Sequence, residues 1–184
     1  MTGNRSYREQ EITEKSGARS LLIIGAGSFS PEIDELARLC GYTDTAFLDD
    51  HPEEAYIRPV VGTMADIGKL RETYDTAIVA LGNNEHRMKY HALLKEYHYN
   101  IPVLIHPTAY VSPDAELSPG CIIRTYAVVS RYVQLGEACI LNIGALTDHH
   151  VVLGEGCHVM MGAVIRNKAV VPPLTKVPCN GVIE

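Results

Sequence analysis

Residues 106–183 repeat every six positions without a slip: HPTAYV, SPDAEL, SPGCII, RTYAVV, SRYVQL, GEACIL, NIGALT, DHHVVL, GEGCHV, MMGAVI, RNKAVV, PPLTKV, PCNGVI. The sixth position is aliphatic in all thirteen hexads but one, where it is Thr147, and the fourth is always Ala, Cys, Val, Thr or Gly. A helix needs apolar residues every three or four positions and a strand every two. A period of six fits a short strand and a turn, repeated, which is a β-solenoid. Because side chains alternate along a strand, positions four and six point to the same side. Each hexad therefore sends one small and one large residue into a common interior. Three hexads close a triangular coil, coils stack about 4.8 Å apart, and each buries its core only against its neighbours.

Cys121, Cys139 and Cys157 lie eighteen residues apart, so they stack inward on one face of successive coils. Cysteine reads there as a small apolar filler; a disulfide or metal ladder is the alternative, and disulfide geometry is demanding. The five cysteines are odd in number and show no Cys-x-x-Cys spacing, which points to reduced thiols in a cytoplasmic protein and to no metal set. A formal charge of -6 argues against a non-specific nucleic-acid binder. No apolar run approaches the ~20 residues that span a bilayer, and the polar opening of the chain does not read as a signal peptide. Residues 1–19 read as a disordered lead-in, or as a short helix over 7–15 that meets a partner subunit.

Residues 20–105 alternate strands with helices, as a small Rossmann-like parallel sheet does. An apolar strand over 21–24 runs into Gly25-Ala26-Gly27-Ser28-Phe29-Ser30 and a helix over 31–39, with Ser30 as N-cap and Pro31 at the first helical position. Such a turn presents backbone amides to a phosphate, although Ser30 stands where the dinucleotide fingerprint has its third glycine. The bland reading is a tight turn without ligand. A strand over 45–48 ends at Asp49-Asp50, where such folds contact a ribose or base; solvated turn acids are the alternative. Then come a strand over 60–62, a helix over 64–72, a strand over 75–81 ending in Gly82-Asn83-Asn84, a helix over 85–97 and a final strand over 101–105. His86, His91 and His98 read as surface or partly buried side chains.

A nucleotide-type domain joined directly to a β-helix resembles the hexapeptide-repeat sugar acetyltransferases, the sialic acid O-acetyltransferase and nucleotide-4-aminosugar N-acetyltransferase group. The residues that carry the likeness are Ile24-Gly25-Ala26-Gly27, Phe47-Leu48-Asp49-Asp50, Leu81-Gly82-Asn83-Asn84, Leu104-Ile105-His106-Pro107 and Asp148-His149. The resemblance implies a left-handed parallel β-helix over 106–184 that forms a homotrimer and holds acetyl-CoA between subunits, with the sugar nucleotide in the front domain. It places the general base at His149 and coenzyme and substrate contacts at Asn142 and His158. Gly25, Gly27, Ser28, Asp49, Asp50 and Asn83 become the sugar-nucleotide side.

Acetyl transfer needs a base to take the acceptor's proton as it attacks the thioester, and histidine suits this near neutral pH. The group often has an acid just after the catalytic histidine; here that place is His150, with Asp148 on the other side as the substitute. Gly144 and Gly162 read either as close-approach points for pantetheine or as ordinary corner turns. Pro172-Pro173, Pro178 and Asn180-Gly181 read as the closing end of the solenoid. Two rival classes stand beside the acetyltransferase: a non-catalytic trimeric scaffold or ligand sensor, and a carbonic-anhydrase-like enzyme with zinc on His149, His150 and His158.

Overall fold

The structure, a computed structural model, describes residues 19–184. The lead-in expected over 1–19 lies outside the described residues except for Arg19. That residue is anchored: its N–H donates to Thr43 Oγ1 at 3.2 Å and its guanidinium to the Cys40 carbonyl at 3.2 Å.

The front region holds β1 (Ser20–Ile24), α1 (Ser30–Leu39), β2 (Asp44–Leu48), a 3-10 turn at Pro52–Glu54, β3 (Val60–Gly62), a second 3-10 turn at Met64–Asp66 leading into α2 (Ile67–Leu70), β4 (Ala77–Val79) and α3 (Asn84–Glu96). The strands form one parallel sheet in the order β3-β2-β1-β4. Parallel strands are covered on both faces, so β1 reads as a continuous apolar run. Leu21 and Ile23 pack with Ile33 of α1 on one side, and Leu22 and Ile24 with Ile67 and Leu94 on the other. After β3 the chain crosses to the far side of β1. The loops after β1 and β4 therefore open a crevice at the switch point. Ser30 does not cap α1. It is the first helical residue, and its buried hydroxyl donates to the Gly25 carbonyl at 2.7 Å, closing the glycine turn.

The repeat builds a triangular parallel β-helix of two-residue strands. Face I carries Leu104–Ile105, Ile122–Ile123, Ile140–Leu141, His158–Val159 and Lys176–Val177. Face II carries Tyr110–Val111, Val128–Val129, Leu146–Thr147, Val164–Ile165 and Val182–Ile183. Face III carries Glu116–Leu117, Gln134–Leu135, Val152–Leu153 and Val170–Val171. Positions four and six fill the interior, including the three stacked cysteines, which are free thiols donating to carbonyls of the adjoining coil. Thr147 is buried too, and its hydroxyl bonds the Val128 carbonyl at 3.0 Å, so the one polar sixth position is satisfied.

The strand expected over 101–105 is Leu104–Ile105, and it pairs with Ile122–Ile123 of face I, not with the front sheet. The six-residue phase runs one hexad further back: Val103 and Ile105 pack on the solenoid core. The solenoid thus starts on the front-domain side of the boundary drawn at residue 105. Pro172, Pro173 and Pro178 occupy corners, and the strands on either side of them remain in register with the preceding coil.

The front region docks on the outer surface of face I. Ile122 and Ile140, which point outward from the solenoid, join the core of Leu21, Ile33 and Ile78. From α3, the stripe Asn84, Arg87 and His91 faces the coils and is buried. Arg87 is wholly buried. Its guanidinium donates to the carbonyls of Ala138 at 2.9 Å and Gly156 at 2.8 Å, and to Leu81 at 2.9 Å. Burial lowers its pKa to about 10, which leaves the cation intact at neutral pH. His91, expected as a surface or partly buried side chain, is fully buried beside Glu137, its Nε2 3.2 Å from the carboxylate.

Candidate active site

The third residue of each hexad from 120 to 180 turns the corner in the left-handed region, with φ between 53° and 79°. Few residue types favour this conformation, and most of these corners are not glycine. The stacked coils enforce it, because the corner N–H bonds back to the previous coil: His150 to the Arg131 carbonyl at 3.0 Å, and Gly144 to that of Thr125 at 2.9 Å. Gly144 and Gly162 are two of these regular corners, with φ 65° and 67°. A Cβ on Gly144 would meet open space, whereas one on Gly162 would meet Asn180 Oδ1 at 2.5 Å.

At the corner between faces II and III, Ser130, Arg131, Tyr132, Asp148, His149 and His150 line an open depression of about 450 Å³. The left-handed turn at His150 swings its ring against that of its neighbour: His149 Nδ1 and His150 Nδ1 are 2.9 Å apart. Tyr132, one coil away at the same corner position, lies against His150 with ring centroids 4.9 Å apart. Asp148 Oδ1 accepts the backbone N–H of His149 at 2.7 Å. The expected partner of the ring, the preceding acid, therefore holds the backbone, and the ring's contact goes to His150. His149 Nε2 has no hydrogen-bond partner among the described residues.

Asn142 and His158 lie elsewhere, under the front region. His158 points outward from its strand, as its hexad position requires, yet it is buried because the front region covers face I. Its Nδ1 is 3.4 Å from the Gly82 carbonyl and its Nε2 3.3 Å from Asn142 Nδ2. Asn142 Oδ1 accepts from Arg124 at 2.7 Å and from the Ile143 N–H at 2.8 Å. Arg124 also pairs with Glu32 of α1 and sits over the Phe29 ring. One tautomer satisfies the whole chain: His158 donates from Nδ1 and accepts at Nε2. Burial first, and then the Arg87 charge, push the His158 pKa down to about 4. The ring is neutral at neutral pH.

The front crevice lies above this network. Gly25 has φ 107°, and a Cβ there would meet Leu81 Cδ2 at 2.8 Å, so only glycine lets the loops after β1 and β4 close on each other. Gly27 and Gly82 face open space, and Ser28 and Asn83 are exposed. The acids do local work: Asp49 Oδ2 accepts the Ala26 N–H at 2.7 Å, and Asp50 Oδ1 the Met64 N–H at 2.9 Å. Asn83 Oδ1 caps α3 by accepting the His86 N–H at 2.9 Å. Asp49 thereby fixes the glycine loop and takes one of its amides. The amides of Gly27 and Ser28 have no partner among the described residues.

One chain thus brings Gly25, Gly27, Ser28, Asp49 and Asn83 together at one crevice, with Asn142 and His158 beneath it. It does not bring His149 to that crevice, because the II–III corner is opposite the covered face I. Residues 20–94 match the family described as PglD N-terminal domain. The acetyltransferase domain of PglB from Neisseria gonorrhoeae, solved with acetyl coenzyme A, is 30% identical; the alignment covers 91% of this chain and 92% of that one, with a TM-score of 0.80. PerB from Caulobacter crescentus, solved with CoA and GDP-perosamine, is 29% identical over 91% of this chain and 89% of that one, with a TM-score of 0.77. The chain belongs to the hexapeptide-repeat sugar acetyltransferases. Its solenoid is the left-handed parallel β-helix of that family. No curated protein sequence matches the chain. Arg87, Arg124 and Tyr132 carry no signal in the sequence, since an arginine in a polar helix or at a solenoid corner does not show that it is buried.

Proposed function

We propose that this protein transfers the acetyl group of acetyl-CoA to an amino group on a nucleotide-linked sugar, with His149 as general base. The observation that carries the reading is the II–III corner, where His149 is exposed in a concave site, ring-positioned by a neighbour and open at Nε2. The coenzyme and sugar nucleotide bound in the two relatives support the substrate pair. The neutral amine attacks the thioester carbonyl carbon and loses its proton to His149 Nε2. The C–S bond breaks, its electron pair leaves on sulfur, and His149 returns the proton to the thiolate. A hydroxyl acceptor would use the same atom.

The sugar nucleotide belongs in the front crevice, its phosphates on the Gly27 and Ser28 amides. A catalytic site then needs two copies of the chain. Face II supplies the means: its outward row, Tyr110, Val128, Leu146, Val164 and Val182, is apolar in every coil, and Tyr110 and Val182 are 56% and 57% exposed. Such a strip marks an interaction surface, and a closed three-fold ring covers it in every copy. In that homotrimer the His149 corner of one subunit meets the front crevice of the next, with acetyl-CoA between them along Gly144 and Gly162. Asn142 and His158 serve from below by fixing the Gly82 loop. Five free thiols accord with a reducing, cytoplasmic setting.

The test offers acetyl-CoA and a panel of nucleotide-linked 4-amino sugars, with a sialic-type hydroxyl acceptor, and detects product by mass. Acetylated product that falls about 10²–10⁴-fold in His149→Ala supports the reading. Product that survives the substitution removes His149 from its role, and no product from any acceptor refutes the activity.

A further inference from the structure

Two neutral imidazoles whose Nδ1 atoms stand 2.9 Å apart share one proton between them. There are two ways to place it. If His150 Nδ1–H donates, His149 carries its own proton on Nε2 and presents no lone pair to an acceptor. If His149 Nδ1–H donates, its Nε2 is unprotonated and faces the depression. Once Nε2 has taken a proton during the reaction, both nitrogens of His149 are donors, and only an acceptor at His150 Nδ1 keeps the contact.

We infer that His150 is the positioning residue of the acetyl transfer, accepting the Nδ1–H of His149 and so holding its Nε2 as the base. This rests on the proposed role of His149 and makes His150 the functional replacement for a carboxylate. The site is built for it. The left-handed φ of 62° turns the His150 ring onto its neighbour, and the Tyr132 ring packs against that of His150. Asp148, which could compete for the ring, is occupied by the backbone N–H of His149. Arg131 is held away by Asp114 at 2.7 Å.

The test uses the full-length protein and two variants. Tyr126 and Tyr132 adopt the same left-handed corner at φ 57° and 59°, so His150→Phe fits the backbone, and Asn180 at φ 56° shows that His150→Asn does too. The first readout is the nitrogen-15 NMR of labelled histidine rings, which needs no substrate. His149 should be the Nδ1–H tautomer in wild type and His150→Asn, whose amide oxygen can accept, and should revert to the Nε2–H tautomer in His150→Phe. The second is kinetic, with acetyl-CoA and GDP-perosamine or another accepted 4-amino sugar nucleotide. His150→Phe should lose about 10- to 100-fold in kcat at unchanged KM, part of the roughly 10²–10⁴ that a positioned base supplies. His150→Asn should recover most of it. An unchanged His149 tautomer in His150→Phe, or kcat within about threefold of wild type there, overturns the inference. Tautomers as stated with no turnover of any acceptor would uphold the pair and refute the acetyltransferase reading instead.

Discussion

The solenoid carries two histidine sites with opposite fates. His149 and His150 stand at an open corner, touch each other and leave Nε2 of His149 facing solvent. His158, written in the same hexad grammar and also pointing outward, is buried with both ring nitrogens engaged, held neutral with a pKa of about 4. The difference is made by what lies on top. The front region covers face I and turns an outward residue into a junction residue, whereas nothing among the described residues covers the II–III corner. Availability for chemistry is therefore decided by docking rather than by position within the repeat.

The sharpest way to break this contrast is at the open corner, where His149→Ala should reduce turnover about 10²–10⁴-fold while the unfolding free energy stays within about 0.5 kcal/mol, as for an exposed residue. A urea titration beside the kinetic assay separates the two. At the junction the signs reverse. Arg87→Ala strips one buried cation from three carbonyls, and it should lower stability by about 3–5 kcal/mol. Urea unfolding should then divide into two transitions as the front region parts from the coils; a single unshifted transition would show that Arg87 is not the latch.

A subtler effect separates the histidines by pH. His158 is neutral in the fold, so its folded pKa lies below that of the unfolded chain. As pH falls from about 6.5 toward 4, the unfolded state binds the proton first, and stability is lost by about 1–3 kcal/mol before levelling off. His91, also pushed down by burial, adds in the same direction, so the His158 share is the part that vanishes in His158→Gln. If that variant has the wild-type pH slope, His158 is not held neutral by the junction. Smallest of all, Asp148→Asn should change kcat by less than about tenfold, because its carboxylate bonds a backbone N–H rather than the imidazole. A loss as deep as that of His149→Ala would return the orienting role to Asp148.

Much of the architecture is legible in the residues because the solenoid core repeats at fixed positions: large aliphatics at six, small residues at four and the cysteine column all lie where the period puts them. The front sheet is legible for the same reason, since β1, β2 and β4 are short apolar runs. The docking is not. It uses outward positions of face I and the stripe Asn84, Arg87 and His91 on α3, a buried helix face with no hydrophobic period. The His149–His150 contact is hidden as well. Neighbours in a strand face apart, and only the left-handed corner at His150, enforced by the coil below, brings the rings together. Residues proposed for ribose and substrate, Asp49, Asp50 and Asn83, sit at the right edge of the sheet, but their side-chain oxygens hold the backbone loops that frame the crevice.

The central claim is that the base and the crevice come from different copies of the chain. The direct measurement is complementation. Gly27 faces open space, so Gly27→Trp should fill the crevice without disturbing the fold, and it leaves His149 intact; His149→Ala does the converse. Each variant alone should be inactive. Co-expressed with different tags and purified as mixed trimers, they should recover about one third of wild-type activity, the fraction of interfaces at which a sound corner meets a sound crevice in a closed ring of mixed composition. Mixed trimers as inactive as either parent would contradict the account and place the whole site within one chain.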